Sequence, residues 1–430
     1  RSWFRGMKRV TGLSAALELL SGTQPNDEEA DAVAARILDD VRQNGDAAVR
    51  RISGELDGEP IGFLEVPRSE IDAALAAIPI ETREALETAT ERVRAFQSAA
   101  MPKSWHDDDR HYGELVMPVK RVGAYVPGGT APLASTVIMT VVPARVAGVE
   151  EIYLATPAAG DSLPHPAVLA AAAIAGADRV FKIGGAQAIA AFAYGTETVR
   201  AVDLIVGPGN VWVTAAKRQL FGRVGIDGLY GPTETLVVAD ETSDPEFCAS
   251  DLLAQAEHDV RARPILVSTS SKIADEIEAA LKRQLADLPR KAIAGEAVET
   301  NGVSVIVASV EEAIEVANAV APEHLCLAIA DPAPYISLVR NAGGLFAGEY
   351  SAEVIGDYVA GPSHVMPTDG TARFASALNV RHFLKFTPVV DLDSAGFMEI
   401  AQQAAVLART EGLHGHANAA ELRMKRLIGE

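Results

Sequence analysis

Cysteine is scarce in this chain. Only Cys248 and Cys326 occur among 430 residues, too few for a disulfide framework, so a reducing compartment is the default expectation. Long apolar runs are missing too. The best candidate, residues 132–142, falls short of the ~18 residues that a membrane span requires and is soon followed by Arg145. Positive charge is in deficit, with 38 Lys and Arg against 58 Asp and Glu and a net charge of −20. That balance argues against a nucleic-acid backbone as partner and suits a soluble cytoplasmic enzyme with no membrane attachment. The rest is ordinary: 48% hydrophobic and 22% charged residues, in a chain long enough for two or three domains. The residues RSWFRG ahead of Met7 are read as a leader remnant or an added tail and are set aside.

Histidine is also sparse, and its placement is the most informative feature. Of 9 histidines, five sit in short polar islands of the C-terminal half. The islands are AQAEHD (254–259), PEHL (322–325), GDYVAGPSH (356–364) and EGLHGH (411–416). Each pairs His with Glu, Asp or Gln, groups that hold a divalent metal and also move protons. Gln255 and His258 are spaced i, i+3 on a helix expected to start near Pro245, so they share a face. Asp357 follows Gly356 in an expected loop, and His416 lies in the tail. Together they offer an amide oxygen, a carboxylate and two imidazoles; ordinary structural histidines are the competing reading. Glu323 and His324 are adjacent just before a strand. They can divide acid and base roles if their surroundings separate their pKa values, or they can merely cap the strand. Cys326 would face the same way as His324 on that strand, as a thiohemiacetal nucleophile requires, but its flanks Leu325 and Leu327 favour a buried inert thiol. Cys248 reads as core.

Coarse patterning divides the chain. The N-terminal part reads as helices: Asn26 as N-cap, Asp27, Glu28 and Glu29 in the first turn, Val33, Ile37 and Val41 at i, i+4, and Gly45 as the stop. A second helix covers 81–97, and Pro102 with WHDDDRH (105–111) marks a break. From Val122 onward, short apolar strands (123–126, 152–155, 180–183, 202–206) alternate with helices (135–147, 166–175, 186–194, 211–221). The alternation recurs after Thr235, with strands at 236–239, 265–268, 304–307, 325–329 and 345–347 and helices at 245–256, 272–285 and 310–319. This is the pattern of parallel α/β sheets. A long helix over 394–410 and a last one over 417–427 form the tail.

Three glycine-rich turns follow strands of the first block: YVPGG (125–129), GGAQ (184–187) and GPGN (207–210). Glycine lets backbone approach a ligand, and the next helix N-terminus favours a phosphate. No G-x-G-x-x-G fingerprint is present, so ordinary tight turns and a dinucleotide cradle both stay open.

Taken together, YVPGGTAPLASTV, GGAQAIAAFAYGT, GPGNVWVTAAKRQ, SDLLAQAEHD, PEHL, GDYVAGPSHVMPT and EGLHGHANA, in this order and spacing, closely resemble the histidinol dehydrogenase family. The similarity runs from about Asp31 to Arg423. The resemblance implies two tandem, incomplete Rossmann-like domains with parallel sheets, plus small N-terminal and tail segments. It divides the chain into an N-terminal segment (1–25), a first α/β domain (26–122 and 236–378), a second, NAD-binding α/β domain (123–235) and a tail (379–430) that crosses to the partner of a homodimer. It implies one zinc per site, held by Gln255, His258 and Asp357 with the tail's His416 from the other subunit. It further implies oxidation of L-histidinol to L-histidine in two NAD-dependent steps through the aldehyde, at the end of histidine biosynthesis. His324 matches the family's principal base and Glu323 its water-activating group. His364 and Glu411 match substrate contacts, joined by the metal ligands, His324 and Thr233, which stands where many members carry Ser. Tyr125, Gln187 and Asn210 match NAD contacts. The alternative is a paralogue with the same zinc and NAD chemistry acting on another primary alcohol.

Overall fold

The computed structural model describes residues 6–20, 27–128 and 132–429. They form two compact units, one drawn from Arg1–Ala100 and Lys120–Phe383, the other from Met101–Val119 and Leu384–Glu430. Among the described residues no helix is long and apolar enough to cross a membrane.

The first unit contains two parallel sheets. The smaller runs, in spatial order, Arg179–Phe181, Glu151–Ala155, Arg121–Tyr125, Leu204–Val206 and Gly225–Ile226. The larger runs Lys8–Thr11, Val303–Ile306, Arg263–Ser268, Glu234–Ala239, His324–Leu327 and Gly344–Ala347. Numbered from Arg121–Tyr125 and from Glu234–Ala239, both sheets have the order 3-2-1-4-5, that of a Rossmann sheet without its last strand. The two tandem, incomplete Rossmann-like blocks expected from sequence are therefore present. The strand Lys8–Thr11, which the sequence pattern does not assign, extends the larger sheet beyond its third strand.

Local chemistry explains why boundaries read from sequence fall close to those observed. The helices Pro166–Ala175 and Pro245–Ala256 coincide with expectation, because Pro opens each first turn and His165 or Asp244 caps it. Other expectations need correction. The cap assigned to Asn26 lies outside the described residues, and Asp27 caps Glu28–Asp57 by accepting from Ala30 N at 3.0 Å. Gly45 does not end that helix; it interrupts it at φ 52°, ψ −133°, and the helix resumes to Asp57. Asp357 lies on a short helix, Glu353–Tyr358, not in a loop. His258 lies just past the end of Pro245–Ala256, where its N–H donates to Gln255 O at 3.1 Å.

The grouping of residues 26–122 with 236–378 also changes. Ala30, Ala34, Leu38 and Val41 are buried in one cluster with Tyr125, Ile189, Phe192, Val213 and Ala216, so the first long helix covers the smaller sheet. An apolar stripe specifies that a helix must be covered, not by which sheet.

In the second unit, Tyr112–Pro118 pairs antiparallel with Leu384–Val390 on one side and with Trp105–Asp107 on the other. The stretch read as a break thus begins a small sheet with the tail. The helices Ser394–Thr410 and His414–Ile428 follow, tied by a bidentate Arg409–Glu421 pair at 2.8 and 2.7 Å.

Candidate active site

A cavity of about 350 Å³ in the first unit is lined from the larger sheet's side by Thr233, Gln255, His258, Glu323, His324, Asp357 and His364. The smaller sheet's side contributes Pro127, Thr136, Gly209 and Asn210.

His324 opens the strand His324–Leu327, beside Thr235 on one neighbour and Gly344 on the other. The main chain of Glu234 serves both residues of the pair. Its N–H donates to Glu323 Oε2 at 3.2 Å, and its carbonyl accepts from His324 Nδ1 at 3.1 Å. A carbonyl only accepts, so Nδ1 carries a proton, and Nε2 is the atom turned toward Asp357 Oδ1, 3.1 Å away. Phe346 stacks against the ring at 5.8 Å and 24°. Gly356 makes that arrangement fit, since a Cβ there would come 2.4 Å from Phe346 Cε1; the helix bearing Asp357 can therefore lie close.

Gln255 links the rest. Its Nε2 donates to Asp357 Oδ2 at 3.0 Å, and its Oε1 lies 2.9 Å from Thr233 Oγ1. Thr233 Oγ1 is also 2.7 Å from Glu323 Oε2. One hydroxyl proton cannot serve two acceptors, so either a proton on Glu323 or a half-turn of the Gln255 amide completes the pair of contacts. Burial pushes the Glu323 carboxyl up to about 7, so it can carry or release a proton near neutrality. Burial opposes a charged His324, but the carboxylates of Glu323, Glu353 and Asp357 outweigh it and raise the imidazole. Asp357 is lowered: the hydrogen bond and charge of His324 overcome the burial that works against its carboxylate. His258 and His364 are lowered by desolvation, which favours neutral rings. His364 spans the two sides, with Nδ1 2.7 Å from Asp357 O and Nε2 3.1 Å from Thr136 Oγ1.

Two residues here carry no sequence signal. Glu353 is fully buried behind His324, accepts from Thr235 Oγ1 at 2.6 Å and from the Cys326 thiol at 3.5 Å, and is pushed up to about 8 by burial. Thr136, inside an apolar helix, becomes recognisable only through His364. Burial also raises the Cys326 thiol, matching the inert reading.

The positions matched to cofactor contacts divide. Asn210 lines the cavity and caps Val211–Leu220 by accepting from Val213 N at 3.1 Å. Tyr125 and Gln187 are buried instead, only 3% and 2% exposed. Tyr125 accepts from Gly185 N at 3.0 Å, and Gln187 Nε2 donates to Ser53 at 3.2 Å while its buried Oε1 has no partner among the described residues. Glu411 and His416 belong to the second unit, exposed around the turn between its two helices.

Among the described residues, no three His, Cys, Asp or Glu side chains gather as a metal cluster. The set expected within the first unit has only two such groups, His258 and Asp357, plus an amide. That donor set fits a catalytic zinc left open for other ligands better than a closed structural one. Gln255 now turns its nitrogen toward Asp357; a half-turn of the amide would offer its oxygen with no change of shape.

A family model described as histidinol dehydrogenase matches residues 21–424. The chain is 51% identical over 399 residues to the histidinol dehydrogenase of Thermus thermophilus, covering 92% of this chain and 95% of that one. It is 51% identical over 397 residues to that of Deinococcus radiodurans, covering 91% and 90%. The crystal structure of histidinol dehydrogenase from Elizabethkingia anophelis superposes with a TM-score of 0.94 at 34% identity, covering 98% of this chain and 99% of that one.

Proposed function

The chain belongs to the histidinol dehydrogenase family, and from that premise we propose that its cavity oxidises L-histidinol to L-histidine in two NAD-dependent steps, in the cytoplasm, as the last step of histidine biosynthesis. The observation that carries the reading is the buried Glu323–His324 pair, held by Glu234 and facing Gln255 and Asp357 across one cavity.

Alcohol oxidation needs a base for the hydroxyl proton as hydride leaves carbon for the nicotinamide. His324 Nε2 is that base: Nδ1 is already committed to the Glu234 carbonyl, so the ring pivots little and Nε2 receives the proton. The aldehyde must then be hydrated. Glu323, held by Thr233 and Glu234 N–H, accepts the proton of the attacking water. A carboxyl near 7 is matched to that task, because it takes and returns a proton near neutral pH. The resulting gem-diol gives its proton to His324 as the second hydride leaves.

Zinc held by Gln255, His258, Asp357 and His416 of the partner subunit would orient the substrate and draw the Asp357 charge away from His324, returning the ring to its basic form. Thr233, His364 and Glu411 are assigned to substrate, and the turns at Tyr125, Gln187 and Asn210 to NAD. Since Tyr125 and Gln187 are buried, their part is to shape the turns, and Asn210 makes the exposed contact.

The test is NADH formation with L-histidinol by zinc-loaded protein, where two NADH per histidine are expected and no turnover refutes the proposal. The shared site has its own test. Mixed and reassembled His258→Ala and His416→Ala proteins should recover activity in verified heterodimers, and inactive heterodimers would mean that each chain completes its own site.

A further inference from the structure

We infer that Lys217 and Asp227 are positioning residues for the cofactor turn, a buried ion pair that fixes the backbone of Gly207 and with it the GPGN segment. The inference rests on the assignment of residues 207–210 to NAD. Lys217 Nζ lies 2.5 Å from Asp227 Oδ1, with the two side chains 2% and 0% exposed. The same Nζ donates to Gly207 O at 3.0 Å, and Asp227 Oδ2 accepts from Gly207 N at 2.7 Å. Both polar groups of one glycine therefore end on one ion pair. Asp227 Oδ1 also accepts from Gly228 N at 2.8 Å, and the Tyr230 hydroxyl is a second side-chain partner of the carboxylate beside Lys217.

The loop needs such a hold. Gly207 has φ +111°, and a Cβ there would fall 2.1 Å from Tyr125 O, so the turn is pressed against the end of the neighbouring strand. Pro208, Gly209 and Asn210 follow directly into the cavity wall. Lys217 lies on the helix Val211–Leu220 that Asn210 caps, and Asp227 follows the outer strand Gly225–Ile226. The pair thus ties helix, strand and turn together behind the wall, without itself lining the cavity. Tyr230, which does line it, places its ring 4.8 Å from Lys217 Nζ. A buried ion pair is not needed for stability, because apolar groups of like volume fill a core equally well. What it supplies is direction, a donor and an acceptor that admit one orientation of the Gly207 peptides.

The decisive protein is the double variant Lys217→Met, Asp227→Asn. It removes both charges at nearly constant volume and leaves an amide oxygen for Gly207 N, so no unpaired charge is buried. It should unfold near the wild-type temperature, with KM for NAD+ raised about tenfold or more and KM for histidinol within about twofold of wild type. Amide exchange at 207–210 should quicken relative to 255–258. An unchanged KM for NAD+ in the folded double variant overturns the inference. Should that protein not fold, Lys217→Gln alone reads the same parameter, with the same result against it. Wild-type protein that neither reduces NAD+ nor shifts its unfolding temperature with it would overturn the cofactor assignment, and the inference with it. Wild type that binds NAD+ alongside an unaffected variant sinks the ion-pair role only.

Discussion

The smaller sheet ends its first and fourth strands at Tyr125 and Val206, and from there glycine turns carry Pro127 and Asn210 to the cavity. The larger sheet, with the same strand order, begins its first and fourth strands at Glu234 and His324, and those beginnings reach the cavity. One block thus offers carboxyl ends, where backbone N–H groups and a helix N-terminus suit an anionic cofactor. The other offers amino ends, where side chains are packed so tightly that their pKa values move. The difference teaches that a repeated architecture does not repeat its chemistry: the strand order supplies a frame, and the residues at whichever end faces the cavity supply the function.

The sharpest way to test that division is to remove the metal, which should abolish turnover until zinc is restored while NAD+ still shifts the unfolding temperature. Loss of NAD+ binding along with the metal would show that the two sides are not separate. His324→Ala comes next. Both oxidations, with histidinol and with the aldehyde as substrate, should slow by about 10³-fold or more, with little change in KM for NAD+. Glu323→Gln should be more selective, costing aldehyde oxidation about 10²-fold and alcohol oxidation much less. Equal losses in both steps would remove the water-activating role.

The smallest effect concerns Glu353, the buried carboxyl behind the larger sheet's strand ends. Burial pushes its carboxyl from the usual 4.5 up to about 8, so the native state holds a proton that the unfolded chain releases. Native stability therefore falls as pH climbs from about 4.5 through 8. Glu353→Gln removes that loss. Relative to wild type, the variant should gain about 2.5 kcal/mol between pH 6 and pH 9 in denaturant titrations, and a gap independent of pH would show the carboxyl to be already ionised.

Much of this was legible in the chain. Strands and helices of both blocks follow from short β-branched runs, Pro at N1 and Asp or Ser caps, all of which act over a few residues. The islands holding Gln255, His324 and Asp357 were visible because polar groups stood out against apolar flanks. The placement of Glu353 and Thr136 was not, because a single buried carboxyl or hydroxyl resembles any other until its partner is known. Nor was the choice of sheet for the first long helix, or the sheet formed by Trp105–Asp107 with the tail, since both depend on contacts far apart in sequence.

By itself the sequence determined the elements, their alternation and the family, because caps, turns, periodicity and ordered motifs are local. Tertiary structure alone decided which ends of the two sheets meet. It also set the proton on His324 Nδ1, the raised carboxyl of Glu323 and the grip of Lys217 and Asp227 on Gly207. Those properties arise from burial and from partners distant in the chain, and neither exists until the chain has folded.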